Sequence, residues 1–173
     1  MNGKVIVIVG ETGVGKTTYV KNLISKSKRE IIAYTRIRED LIFKKAKVFS
    51  NFVEFIEKSN QKNNSILFID EAFTCLPNHL LVKPDKPENI HNQIADLLVN
   101  ARKLNNLIFI VYHALRQVPT QWLLNYINWF IRFQTTDQIE VQCRRFSSFN
   151  NIVSSLENHT EIEKFSYDEI KIR

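Results

Sequence analysis

The sequence has few cysteines and no long hydrophobic run, and both absences limit its class. Cys75 and Cys143 are its two cysteines, and neither belongs to a CxxC pair, which argues against a disulfide framework and against a structural zinc site. The apolar run near the start is broken by Gly10 and Glu11, so it is too short for a signal peptide or a membrane span. We therefore expect a soluble cytoplasmic protein with no membrane partner.

Size and charge set the next limits. A chain of 173 residues with 44% hydrophobic content suits a single domain over 1–173. Its 24 basic residues exceed its 18 acidic ones, and this excess favours contact with polyanions. On charge alone, the ligand could be a nucleotide or a nucleic acid, or the protein could bind no polyanion. The basic segment 36–47 either contacts nucleic acid or forms a solvated face.

Short β-branched runs alternate with helical periodicity, which is typical of an α/β domain with a mostly parallel sheet. Lys4–Val9 has the composition of a strand buried on both faces. Further strands are predicted at 30–35, 47–49, 65–69, 107–112, 129–133, 139–143 and 165–172. Helices are predicted at 17–28, from Phe52 onward, and at 87–101, 119–124 and 147–156. Residues 134–173 form a predicted C-terminal strand and helix extension of the domain.

A phosphate-binding motif lies between the first predicted strand and helix. Residues 10–17 read GETGVGKT, which matches GxxxxGK[ST]; a glycine turn formed by chance is the alternative. In such loops, backbone N–H groups and the helix dipole hold phosphates. We expect Lys16 to reach the β- and γ-phosphates of ATP and the Thr17 hydroxyl to bind Mg²⁺. The predicted nucleotide-binding residues are Gly10, Glu11, Thr12, Gly13, Val14, Gly15, Lys16, Thr17 and Thr18.

Two adjacent acids, Asp70 and Glu71, end the predicted strand in the stretch LFIDEAF. A carboxylate at the end of a neighbouring strand usually holds Mg²⁺ opposite the P-loop hydroxyl, which predicts that role for Asp70. Glu71 resembles the second acid of the Walker B pair in P-loop ATPases with an additional strand, where it orients and polarises the attacking water. A solvated residue at a strand end is the alternative for Glu71.

Polar and cationic residues near the next strand are further candidates. His113 or Gln117, after the strand 107–112, could hydrogen-bond the γ-phosphate or the attacking water, although a structural histidine is equally compatible. Arg102 could stabilise the transferring phosphoryl group across a subunit interface, or simply favour the C-terminal dipole of its helix. Lesser candidates for that cationic role are Arg116 and Arg132.

Together these motifs resemble the FtsK/HerA branch of P-loop ATPases, especially compact viral genome-packaging ATPases and the cytoplasmic part of zonular occludens toxin-like phage assembly proteins. The matching segments are GETGVGKT, ILFIDEA, NARKLNN, LIFIVYHALRQVP and NWFIRF. Members often place Gln where this chain has His113. The resemblance implies a RecA-like sheet with helices on both faces, in which the strand ending at His113 separates the Walker A and Walker B strands.

The resemblance also implies a homo-oligomeric ring of five or six subunits, with ATP at the interfaces, double-stranded DNA in the channel and a capsid or portal-vertex protein as a further partner. The expected function is an Mg²⁺-dependent ATPase motor that packages a viral genome, in the host cytoplasm or associated with the virion. Its expected catalytic residues are Lys16, Glu71, Arg102 and His113. A P-loop kinase acting on a nucleoside, nucleotide or nucleic-acid end, and a non-motor ATP-dependent assembly switch, remain as alternatives.

Overall fold

The structure, a computed structural model, describes residues 3–24, 27–36, 45–76, 89–119, 123–133 and 167–171. Its seven strands are β1 (Lys4–Val9), β2 (Ile31–Tyr34), β3 (Ala46–Phe49), β4 (Ile66–Ile69), β5 (Leu107–Tyr112), β6 (Trp129–Phe133) and β7 (Tyr167–Lys171). The α-helices are α1 (Lys16–Ile24), α2 (Phe52–Asn60) and α3 (Asn89–Asn100), and short 3₁₀ turns cover Ala72–Thr74, Leu115–Gln117 and Leu123–Asn125. Within these ranges no helix is both long and apolar enough to cross a membrane.

The strands form one sheet in the order β3-β2-β4-β5-β1-β6-β7. Strands β1 to β6 are parallel, and β7 pairs antiparallel with β6. Strand β5 lies between β1 and β4, as the resemblance predicted for the strand that ends at His113. The carboxyl ends of the parallel strands therefore meet at one edge, where ligands bind in open α/β sheets. We term this the carboxyl edge and the opposite one the amino edge.

Apolar side chains cover both faces of the central strands. In β1, Val5, Val7 and Val9 join the cluster that also holds Phe55 of α2 and Leu97 of α3. The alternate residues Ile6 and Ile8 join a second cluster with Val20 and Ile24 of α1. This period of two on each strand explains the near-continuous hydrophobic runs of the sequence, and it confirms helices on both faces.

Some predicted elements differ from those observed. Helix α1 covers Lys16–Ile24, and residues 27 and 28, which the prediction included, are not helical. There the Ser27 N–H donates to the Ile24 carbonyl at 2.8 Å, and the Ser27 hydroxyl accepts from the Arg29 N–H at 3.2 Å. The predicted helix at 119–124 is represented by the 3₁₀ turn Leu123–Asn125, which begins where the Leu123 N–H donates to the Pro119 carbonyl. The predicted strand at 139–143 and helix at 147–156 lie outside the described residues.

Asparagines join the loops at the amino edge of the sheet. The fully buried Asn106 accepts from the Ser65 N–H through Oδ1 and donates to the Lys62 carbonyl through Nδ2, both at 2.9 Å. Asn64 and Asn105 have φ values of 49° and 55°, a left-handed conformation that asparagine tolerates well, and the Asn105 amide donates to the Asn64 side-chain oxygen. These bonds hold the starts of β4 and β5 side by side.

Candidate active site

The phosphate loop connects β1 to α1 at the carboxyl edge, as the motif predicts. Gly13 and Gly15 have φ values of 87° and 96°, which L side chains rarely adopt. Gly10 is required for a different reason, because a Cβ there would lie only 2.5 Å from the Cβ of Phe133. The Gly10 N–H also donates to the Tyr112 carbonyl at 3.2 Å, so the start of the loop is fixed to β5.

Lys16 lies buried inside this loop. Its ammonium donates to the carbonyls of Gly10 and Glu11, both at 2.6 Å. Burial lowers the pKa of Lys16, while the nearby charges of Asp70 and Glu11 act in the opposite direction. The ammonium is therefore held against the loop by backbone oxygens, in a place where a phosphate anion would compensate its desolvation.

Asp70 follows β4 and is also buried, at 5% exposure. Its own N–H donates to the Tyr34 carbonyl at 3.0 Å, and its Oδ1 accepts from the Glu71 N–H at 3.1 Å. Burial raises the pKa of Asp70; the backbone hydrogen bond from Glu71 lowers it, and the Glu71 charge raises it further. An ionised Asp70 is thus costly in the ligand-free fold, and a cation would offset that cost.

Glu71 has a left-handed backbone with φ 49° and ψ 45°. Unlike glycine or asparagine, glutamate has no local hydrogen bond to ease this conformation, and such residues store roughly 1–3 kcal/mol of strain. The turn that follows is stabilised by the Thr74 hydroxyl, which donates to the Glu71 carbonyl at 3.0 Å. This backbone places the Glu71 carboxylate beside His113, at 3.7 Å between Oε1 and Nε2.

His113 joins two parts of the site. Its Nδ1 lies 3.4 Å from the Thr12 hydroxyl in the phosphate loop, while its Nε2 faces Glu71. A tautomer with the proton on Nε2 would accept from Thr12 and direct its N–H at the Glu71 carboxylate. The edge of the Phe73 ring contacts the imidazole, with centroids 5.8 Å apart. One side chain after β5 therefore links the phosphate loop to the acid pair after β4.

Sequence reasoning did not identify the parts played by Phe73 and Gln117. The Gln117 side-chain oxygen accepts from the N–H groups of His113 and Ala114, both at 3.1 Å. Gln117 therefore fixes the backbone that carries His113, and of the two predicted sensor residues it is His113 that contacts the loop and Glu71. The only sequence signal for this bond is the four-residue spacing between His113 and Gln117, which is compatible with one turn.

Arg102 lies at the other end of the sheet. It belongs to the turn between α3 and β5, where its carbonyl accepts from the Asn105 N–H at 3.2 Å. The six residues of β5 separate this turn from His113, which corresponds to roughly 20 Å. The fold thus brings Lys16, Asp70, Glu71 and His113 together, but it does not bring Arg102 to the same site. Arg116 follows β5 at the carboxyl edge, and the side chain of Arg132 lies outside the description.

The available oxygen donors fit Mg²⁺ held jointly with a nucleotide. Among the described residues, no group of three or more His, Cys, Asp or Glu side chains is placed to hold a metal. Mg²⁺ is usually bound by one or two protein oxygens together with substrate phosphates and water, and it does not need such a group. Asp70 after β4 and Thr17 in the first turn of α1 offer a carboxylate and a hydroxyl at the same edge.

The sheet order, the phosphate loop and the acid pair after β4 define a P-loop NTPase fold. The family model AAA_14, an AAA domain, matches residues 2–110. This match covers more than half of the chain, which therefore belongs to the AAA_14 family. No curated protein matches the chain in sequence.

Solved structures similar to this chain include two of a viral packaging protein. The genome packaging NTPase B204 from Sulfolobus turreted icosahedral virus 2, in complex with ATPγS, is 16% identical; the match covers 98% of this chain and 92% of that one, with a TM-score of 0.72. The DNA-packaging ATPase B204 from Sulfolobus turreted icosahedral virus is 14% identical, with coverages of 99% and 94% and a TM-score of 0.69. The N-terminal domain of zonular occludens toxin from Neisseria meningitidis is 13% identical, with both coverages 80% and a TM-score of 0.48. The B204 matches confirm the predicted resemblance at the level of the fold.

Proposed function

We propose that this protein is an Mg²⁺-dependent ATPase motor of the FtsK/HerA branch that moves double-stranded DNA during the packaging of a viral genome. The observation that carries the proposal is the contact of His113 with both Thr12 and Glu71, because it couples the nucleotide loop to an acid placed to activate water. The fold shared with the B204 packaging NTPases over nearly the whole chain supports the choice of a packaging motor.

The phosphate loop and its neighbours bind the nucleotide in this proposal. Lys16 exchanges its two carbonyl partners for the β- and γ-phosphates, which also compensates the desolvation of its charge. Loop N–H groups over residues 10–18 donate to the phosphates at the start of α1. Thr17 and Asp70 would hold Mg²⁺, which neutralises charge on the phosphates.

Glu71 is the proposed general base. Its carboxylate lies at the end of the strand next to β5, and it takes the proton from the water that attacks the γ-phosphate. His113 positions this carboxylate through Nε2 and contacts the phosphate loop through Nδ1. Occupation of the loop by ATP can therefore alter the position of Glu71 through a single side chain. Phe73 contacts the imidazole, and Gln117 holds the backbone that carries it.

Arg102 takes part only from a neighbouring subunit, since it lies at the amino edge of its own sheet. In a ring of five or six copies, an arginine from one subunit reaches the nucleotide of the next and stabilises charge on the transferring phosphoryl group. The same ring surrounds double-stranded DNA in its channel and docks on a capsid or portal-vertex protein.

ATP hydrolysis with and without double-stranded DNA, measured together with the mass in solution, tests the proposal. The expected result is phosphate release that is stimulated by DNA, requires Mg²⁺ and rises more than linearly with protein concentration as rings assemble. A Lys16→Ala variant is the negative control. Phosphate transferred to a nucleoside or nucleic-acid end would instead identify a kinase, and tight ATP binding without turnover would identify an assembly switch.

A further inference from the structure

The loops that precede β2, β4 and β5 carry five cations at the amino edge. They are Lys28, Arg29, Lys62, Arg102 and Lys103, here termed the basic edge. Of these, only Arg102 has a part in the proposed hydrolysis. Lys28, Arg102 and Lys103 are exposed, and Arg29 and Lys62 are partly exposed. The cations therefore face solvent on the side of the sheet away from the nucleotide loop.

Acidic residues are scarce at this edge and frequent at the opposite one. In the described loops of the amino edge, the single acid is Glu30, and its carboxylate accepts from Lys62 at 2.8 Å. The carboxyl edge, in contrast, contains Glu11, Asp70 and Glu71. Lys16, Arg36 and Arg116 lie among these acids, so the carboxyl edge has no comparable excess of positive charge, and polyanions are attracted more strongly to the basic edge.

Hydrogen bonds between loops hold the basic edge in one arrangement. The Arg29 guanidinium donates to the Asn105 carbonyl at 3.0 Å, and the Asn105 amide donates to Asn64 at 2.9 Å. These contacts join the loops before β2, β4 and β5, which are adjacent strands spaced about 4.8 Å apart. Helix dipoles favour cations in the last helical turn, but Lys28 and Lys103 lie beyond the ends of α1 and α3.

We propose that the basic edge binds the phosphate backbone of double-stranded DNA. Lys28 and Lys103 are exposed and Arg29 and Lys62 partly so, whereas Arg102 is assigned to the nucleotide of the neighbouring subunit. These four cations on the loops before β2, β4 and β5 suit an extended anion, since a duplex presents one negative charge per roughly 1.7 Å of its axis. The inference rests on the proposed function, to which it adds the surface that contacts DNA. It places DNA and ATP at opposite edges of the same sheet, so that strands β4 and β5 connect the two sites.

The salt dependence of binding to a short fluorescent duplex tests this surface. The double variant Lys28→Gln and Lys103→Gln removes two exposed charges, and we expect the slope of log Kd against log salt concentration to fall by about two. The control variant Arg36→Gln and Lys47→Gln removes two exposed charges from the other basic segment of the chain. We expect that control to keep the wild-type slope.

The results of these measurements test the DNA-binding surface separately from the proposed ATPase function. A wild-type slope for the Lys28 and Lys103 variant, with a reduced slope for the Arg36 and Lys47 control, would overturn the inference. Tighter binding of poly-glutamate than of the duplex would overturn it in favour of an acidic protein partner. ATP hydrolysis is measured on the same samples without DNA. A duplex bound through the basic edge by a protein that does not hydrolyse ATP would refute the proposed function and uphold the surface.

Discussion

The Nε2 atom of His113 lies 3.7 Å from the Oε1 atom of Glu71, at the point where two neighbouring strands end. Because the Nδ1 atom of the same ring lies 3.4 Å from the Thr12 hydroxyl, the imidazole connects the nucleotide loop to the proposed base. In the proposed mechanism, this connection coordinates ATP binding with activation of water. It also makes His113 the residue whose replacement separates catalysis from binding.

Replacing His113 by Ala is expected to lower kcat roughly 10- to 100-fold with little change in KM, because a base displaced by about 1 Å loses up to about 10²-fold in rate. His113→Gln should restore part of this loss, since an amide can bond to both Thr12 and Glu71. Steady-state kinetics provides both values.

The role of Thr12 is tested by a double-mutant cycle. If Thr12 acts through the imidazole, Thr12→Val should cost little once His113 is Ala, so the two effects are not additive. Fully additive losses in kcat would mean that the 3.4 Å contact has no part in positioning Glu71.

Asp70→Asn should stabilise the ligand-free protein while removing its response to Mg²⁺ and ATP. Burial raises the pKa of Asp70, so the folded state prefers the protonated form, and ionisation destabilises the fold. This penalty is absent below the ordinary pKa of 3.8, grows as the pH rises through the raised value and is complete above it. In EDTA at neutral pH we expect Tm to increase by about a few °C.

Thermal unfolding as a function of pH checks the sign of this effect. The Tm difference between Asp70→Asn and wild type should disappear in acid and increase toward neutral pH. Addition of Mg²⁺ and ATP should then raise the Tm of the wild type alone. A variant that is less stable than wild type in EDTA at neutral pH would contradict the account of Asp70.

Asn106→Ala should destabilise the fold by about 2–4 kcal/mol. The substitution removes two 2.9 Å hydrogen bonds and leaves the buried Ser65 N–H and the Lys62 carbonyl without their side-chain partner. Asn63→Ala, at an exposed position in the loop before β4 that Asn106 contacts, is the control and should change little. Urea denaturation measures the free energy of unfolding of both variants. Equal losses of stability would exclude Asn106 as the main link between the starts of β4 and β5.

Mixing two inactive variants tests Arg102 as an arginine that acts across the interface. Arg102→Ala retains an intact nucleotide loop, and Lys16→Ala retains an intact arginine. The assay is carried out without DNA. Interfaces that combine the two intact groups should regain ATP hydrolysis, and the hydrolysis rate should be highest at intermediate mixing ratios. Mixtures that stay inactive at every ratio would exclude Arg102 from this role.

Much of the sheet could be predicted from sequence because its strands are buried on both faces. Strands β1, β5 and β6 match their predicted ranges, since β-branched and aromatic runs bounded by polar residues leave little choice of boundary. The phosphate loop was equally predictable, because GETGVGKT requires glycine at fixed positions. Helix α1 was predicted too long, because apolar periodicity does not reveal that residues 27 and 28 leave the helix and form a turn with Arg29.

The contacts inside the site were harder to predict. Periodicity places His113 and Gln117 after β5, but it does not reveal that one faces Glu71 while the other accepts from backbone N–H groups. The left-handed conformation of Glu71 could not be predicted from sequence, because glutamate rarely adopts it and nothing in the sequence marks this residue as an exception. The asparagine bonds at the amino edge were missed for a related reason: they join loops that are distant in the chain.

ATP hydrolysis by the Glu71→Gln variant tests the central claim most directly. Glutamine keeps the size of the side chain but cannot accept the proton of the attacking water, so we expect single-turnover hydrolysis to fall about 10²–10⁴-fold while the Kd for ATP stays within a few-fold of wild type. Glu54→Gln, at an exposed acid in the first turn of α2, is the matched control. Near-normal hydrolysis by Glu71→Gln would contradict the assignment of Glu71 as the base.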